Sequence, residues 1–215
     1  MTHNRLPFLG SLFFFVRTST VKPHHHTSPH ENFVRKHWQC KSVFVHLGNR
    51  TYLYYTHMKE VNVPIHIVAY EYEELSEEDR QLIDTAKAAT NHSYAPYSRF
   101  SVGAAALLAN GVIVKGSNQE NAAYPSGTCA ERTTLFYANS EYPDQAVKAL
   151  AIAARNEEDF VNDPIPPCGA CRQVLLETEQ RFKHPMRILL FGKKHILVMD
   201  GTKNLLPLSF GKEFL

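Results

Sequence analysis

The chain contains no glycine-rich phosphate loop and no dinucleotide-binding fingerprint; Gly192-Lys193-Lys194 reads only as a turn between strands. Long apolar runs are also missing. Phe8 to Val16 is a nine-residue stretch, mostly apolar and aromatic, well short of the roughly 20 residues a membrane-spanning helix needs. Charge of either sign is not in excess: the formal net charge is +2, which gives no argument for nucleic acid as a partner. Cysteine is scarce, with four residues in 215, and that scarcity makes their spacing informative. The remaining composition, 44% hydrophobic and 20% charged, is ordinary for a soluble globular protein.

The charges divide the chain. Residues 1–57 hold seven Lys and Arg against one acidic residue, eight of the twelve histidines, including His24-His25-His26, and the only tryptophan. From Met58 onward, 158 residues carry 16 Lys and Arg against 20 Asp and Glu, a net of −4. We expect an extension over 1–57, disordered or a non-native leader, and a catalytic domain over 58–215, large enough to bury a core. The apolar stretch behind Arg5 raises a secretory signal, but no small-x-small cleavage site follows it. The histidine triplet lacks periodicity and partners, so it reads as incidental.

Cys129, Cys168 and Cys171 match the three protein ligands of a catalytic zinc site, which leaves a fourth position for water. Cys168 and Cys171 form a Cys-x-x-Cys pair, and Cys129 is the available third donor. Two other readings stand beside this one. Cys40 could complete a closed structural four-cysteine site, although it has no cysteine neighbour, or Cys168 and Cys171 could be a redox pair. Glu131, two residues after Cys129, is placed to reach the metal's open position, or it closes a capping box begun by Thr128. Three thiolates on a divalent ion leave a charge of −1, which opposes ionisation of bound water. Helix starts at both cysteine groups and the cation Arg132 would offset it; the alternative for Arg132 is a solvated helix position.

Pattern places these residues on a layered α/β framework. Ser76-Glu77-Glu78-Asp79 starts a helix that runs to about Asn91. Val102–Ala109 and Val112–Gly116 read as a hairpin around Asn110-Gly111, which delivers Asn118. A helix from about Cys129 to Asn139, a strand Val147–Ala154, a helix from Cys168 to about Arg181, and short strands Arg187–Phe191 and Ile196–Met199 complete it. The expected fold is a three-layer α/β/α arrangement, with five strands in a mixed sheet and helices on both faces.

The segments Tyr97-Ser98-Arg99-Phe100-Ser101-Val102-Gly103, Asn118-Gln119-Glu120-Asn121-Ala122, Tyr124-Pro125, Cys129-Ala130-Glu131-Arg132-Thr133, Pro167-Cys168-Gly169-Ala170-Cys171-Arg172-Gln173 and Leu205-Leu206-Pro207 with Ser209-Phe210-Gly211 resemble the cytidine deaminases of the compact homotetrameric type, in the family's order, from about Leu75 to the C-terminus. The resemblance implies the cytidine deaminase-like fold and hydrolytic deamination of cytidine and deoxycytidine in pyrimidine salvage. It implies one Zn2+ per subunit, with zinc-activated hydroxide attacking C4 and Glu131 shuttling protons. It also implies substrate contacts: Asn118 and Glu120 at the ribose 3'-hydroxyl, Phe100 against the pyrimidine, Ala130 through its backbone, and Tyr124 and Phe210 across subunit boundaries. A carboxylate at Glu120 favours an uncharged nucleoside over a nucleotide, since it repels phosphate. Nucleic acid and membrane are not expected partners, and the need for reduced thiolates points to the cytoplasm. A zinc-stabilised binding module and an aminohydrolase for another small substrate, such as blasticidin S, are the competing readings; Asn118 and Glu120 argue against the latter. If translation starts naturally at Met58, N-terminal mass analysis of protein from its native host returns a species beginning there, and one beginning at Met1 contradicts it.

Overall fold

The structure, a computed structural model, describes residues 60–215 throughout and, upstream, the backbone strands at 18–20, 39–47 and 50–58. The run at 8–16, the histidine triplet and the side chain of Cys40 lie outside the described residues. The chain divides into two compact units, Met1–Asn62 and Val63–Leu215. In the first, β1 (Thr18–Thr20), β2 (Gln39–Leu47) and β3 (Arg50–Met58) pair antiparallel in that order.

The second unit contains β4 (Val68–Tyr70), α1 (Glu77–Ala89), β5 (Ser101–Leu108), β6 (Ile113–Ser117), α2 (Ala130–Glu141), β7 (Val147–Arg155), α3 (Gly169–Phe182), β8 (Arg187–Phe191) and β9 (Ile196–Asp200). The sheet order is β4-β9-β8-β7-β5-β6, with β7 and β8 parallel and every other pair antiparallel. This corrects the expected five strands to six. The five strands read from the sequence are all present, and β4 is added at the edge. It has only three residues, too few to show alternation, and what makes it a strand is pairing with β9 some 130 positions away in sequence.

The helices start as their sequences dictate. Ser76 accepts from Asp79 N at 3.1 Å and caps α1, whose first turn holds Glu77, Glu78 and Asp79 at the positive end of the dipole. Leu82, Ile83, Ala86 and Ala89 form its buried stripe. Asp79 is nearly buried and receives Arg187 through Nε at 3.3 Å and Nη2 at 3.1 Å, which ties the start of α1 to β8.

Sheet residues sort by parity. Ala104, Ala106, Leu108, Leu150, Ile152, Ile188 and Leu190 pack with Leu135, Ala138 and Leu175 of α2 and α3. Ala105, Leu107, Ala149, Ala151, Ala153 and Leu189 pack with Leu82, Ile83 and Ala86 of α1. Because both faces are covered, β5 and β7 are continuous apolar runs. Ala130 and Cys171 belong to the α2/α3 layer, so the core on that face of the sheet also supports the cysteine groups.

The layers approach closely at Gly103, where a Cβ would lie 2.1 Å from Ala86 O and 2.7 Å from Thr90 N. Backbone oxygen cannot rotate away, so Gly103→Ala is expected to cost at least about 3 kcal/mol and lower Tm by about 6–12 °C, read by thermal unfolding.

Candidate active site

Two helix starts meet at the site. Cys129 is the N-cap of α2 and Cys168 the N-cap of α3; neither end has a side-chain cap, so both thiols stand at the positive ends of helix dipoles. Cys171 follows in the first turn of α3 and is fully buried, while Cys168 is exposed. The N-cap at Cys129 rules out the capping box from Thr128, and Glu131 is left to face the cluster from the first turn of α2.

All three sulfurs lie within 4.8 Å of one another, with Cys129 Sγ and Cys168 Sγ 3.9 Å apart. A tetrahedral zinc ion with Zn–S near 2.3 Å holds its sulfurs about 3.8 Å apart, so the donor set fits. A redox role for Cys168 and Cys171 is disfavoured by the third thiol sharing the same volume.

Protons in the cluster are unevenly held. The hydrogen bond from Cys171 pulls the Cys129 thiol down to about 5 against the opposing effect of burial, helped by Arg132 and Cys168. Cys171 is pushed far up because it donates to Cys129, is desolvated and faces the negative charges of Glu131 and Cys129. Arg132 Nη2 lies 3.9 Å from Cys129 Sγ, and that contact raises the guanidinium further. Its Nε is buried without a hydrogen-bond partner. Glu131 is 5% exposed, and burial pushes its carboxyl up, with the charge of Cys129 adding to the effect.

The 118–120 segment is joined to the start of α2 through a connection the sequence did not reveal. Gln119 pairs with Thr128 in both directions, N to O at 2.8 Å and 2.9 Å, which fastens the 118–120 segment to the residue before Cys129. Asn118 Oδ1 accepts from Ser93 Oγ at 2.5 Å and Val102 N at 2.8 Å, and its Nδ2 donates to Phe100 O at 2.9 Å. Both acceptor positions are therefore filled and one N–H is left over. Glu120 Oε2 accepts from Tyr97 N at 2.9 Å and Ser98 N at 3.3 Å. The Ser98 hydroxyl, followed by these amides, lowers its carboxyl below the usual range.

Phe100 is half-buried next to this loop, and the preceding residue, Arg99, has a φ of 55° in the left-handed region. Ala130 is fully buried. Tyr124 and Phe210 are not brought to the cluster by contacts of the chain itself. Tyr124 is 77% exposed and meets Tyr97 edge-on at 6.3 Å; Phe210 is 60% exposed and stacks on Phe214 at 5.8 Å. Arg172, unassigned in the sequence reading, donates to Pro167 O at 2.9 Å and Leu205 O at 2.8 Å, and Gln173 to Phe210 O at 2.8 Å. The C-terminal segment is thus tied to the helix that carries Cys171.

The proton distribution predicts how metal loading responds to pH. Between pH 6 and 8 Cys129 is already a thiolate while Cys171 keeps its proton, so zinc must displace the latter. Apparent zinc affinity of the metal-free protein should weaken at least about tenfold for each unit the pH falls across that range, with matching proton release on loading. A competition titration with a chromophoric chelator reads the first and a pH indicator the second; a pH-independent affinity contradicts this.

Residues 76–183 match the family model for the cytidine and deoxycytidylate deaminase zinc-binding region. A cytidine deaminase of Sporosarcina psychrophila is 42% identical over 135 residues, 63% of this chain and 93% of that protein. One from Halalkalibacterium halodurans is 50% identical over 100 residues, 46% of this chain and 71% of that protein. The crystal structure of the cytidine deaminase from Burkholderia pseudomallei superposes with a TM-score of 0.53 at 37% identity, covering 63% of this chain and all of that one. Sheet order, thiol cluster and these likenesses converge, and the chain belongs to the zinc-dependent cytidine and deoxycytidylate deaminase family.

Proposed function

We infer that residues 58–215 catalyse the zinc-dependent hydrolysis of cytidine and deoxycytidine to uridine and deoxyuridine with release of ammonia. The observation that carries this reading is the buried Glu131 carboxyl facing a three-thiol cluster. Cys129, Cys168 and Cys171 would hold the metal, which supplies Lewis acidity and lowers the pKa of water.

The chain's own residues account for the rest. A carboxyl raised by burial gives up and regains a proton nearer neutral pH than an exposed glutamate, which suits Glu131 to carry one proton from water to the ring nitrogen, where it stays, and a second from the newly added hydroxyl to the departing amine. The remaining N–H of Asn118 suits it to donate to a ribose hydroxyl, and the second oxygen of Glu120 to accept from it. One hydroxyl can satisfy both, whereas a phosphate cannot donate to Glu120. Phe100 supplies a ring face for the pyrimidine and Ala130 its backbone.

Arg132 is assigned to neutralising the thiolates. Exposure of Tyr124 and Phe210 supports a homotetramer in which each completes a neighbour's site. Dependence on reduced thiolates favours the cytoplasm.

Glu131→Gln keeps the volume and removes the proton shuttle. It should retain zinc by elemental analysis while kcat for cytidine falls about 10^3-fold in the ultraviolet assay. Wild-type protein that holds zinc and turns over no cytosine nucleoside would favour a binding module instead.

A further inference from the structure

Cys168 is delivered by the chain between β7 and α3, residues 156–167, and the first half of that segment is gripped from two sides. On the sheet side Val161 N donates to Ala154 O at 3.1 Å, and the Phe160 ring meets Phe191 edge-on at 5.7 Å. Lys87 Nζ lies 5.5 Å and 4.9 Å from those two rings, a cation–π contact that fixes the pair. On the other side stands the turn Gly192-Lys193-Lys194 between β8 and β9. Lys193 N donates to Val161 O and Lys194 N to Asn162 O, both at 3.0 Å. Lys193 Nζ pairs with Asp159, and Lys194 Nζ with Asp163 at 3.2 Å.

Gly192 is the tightest point of this grip. It is buried, and a Cβ there would lie 2.6 Å from Pro164 N and 2.8 Å from Asn162 O. Past the grip the chain runs Pro164-Ile165-Pro166-Pro167 into Cys168, with three of four φ angles fixed by proline rings. Its far end is held where Arg172 Nε donates to Pro167 O at 2.9 Å. A displacement at Pro164 therefore has little slack to absorb it before the sulfur.

We propose that the 192–194 turn is a positioning device for Cys168: by seating Pro164 against Gly192 it sets where that sulfur stands relative to Cys129 and Cys171, and so how firmly the cluster holds zinc. A side chain at 192 needs Pro164 to retreat by roughly 0.8 Å to reach ordinary van der Waals contact, several times the ~0.2 Å tolerance of metal–ligand distances. The two lysine pairs are exposed and act more weakly, holding the segment onto the turn.

The inference rests on the zinc reading, and the test separates the two. Zinc release from the full-length wild-type chain to excess chromophoric chelator is compared, well below Tm, with release from Gly192→Ala, from the double variant Lys193→Gln/Lys194→Gln, and from Gly111→Ala. Gly111, at the β5–β6 turn with φ +86° and nothing within 4 Å of its Cβ position, supplies a destabilised control remote from this segment. Release should be about tenfold faster in Gly192→Ala, two- to threefold faster in the double variant, and unchanged in Gly111→Ala. Wild-type release rates in both Gly192→Ala and the double variant overturn the positioning role; should Gly192→Ala fail to fold, the double variant alone decides. A wild-type chain that holds no zinc overturns the function reading itself.

Discussion

Three thiols crowded within 4.8 Å create a charge that the rest of the site exists to manage. Once all three are ionised around one divalent ion, the centre is net negative and its power to acidify water is reduced. The fold answers with two helix N-termini that carry no competing side-chain caps, and with Arg132 beside Cys129. Each alone is modest, about 0.3–1 kcal/mol for a helix terminus, but both act on the same atoms at short range and in partial burial. The same negative charge reaches Glu131, where it adds to burial in raising the carboxyl. Electrostatic compensation of the ligands and the raised carboxyl of Glu131 are therefore two effects of one arrangement.

The residues assigned to the sugar are also structural members. Asn118 joins Ser93, Phe100 and Val102 through three hydrogen bonds, and Glu120 gathers the amides of Tyr97 and Ser98. Each has only the capacity left over from those duties. In the proposed role the remaining N–H of Asn118 would act as donor and the second oxygen of Glu120 as acceptor towards a hydroxyl group. It also means that truncating either residue loosens the 93–101 loop as well as removing a contact, so binding and order there are coupled.

Much of the framework was readable because its signals are local. Ser76 with its acidic first turn, the continuous apolar runs of β5 and β7, and the turn at Asn110-Gly111 each carry their physics within a few residues. β4 was missed for the opposite reason: three residues at a sheet edge become a strand only through a distant partner. Arg172 escaped notice likewise, because its two acceptors, Pro167 O and Leu205 O, are backbone atoms that no residue type advertises.

The sequence by itself determined the chemistry: three cysteines with one pair at Cys-x-x-Cys spacing, a glutamate two residues from the third, and the amide and carboxylate at 118 and 120. Those are statements about donor atoms and short-range spacing, which residue types carry directly. Tertiary structure decided which of these atoms meet and in what state. Gln119 paired with Thr128 fastens the 118–120 segment to the residue before Cys129, and the sheet packs Ala130 and Cys171 into one core so that two helix starts converge. Which thiol yields its proton first follows from that convergence, because hydrogen bonding and burial belong to the folded neighbourhood and not to the residue.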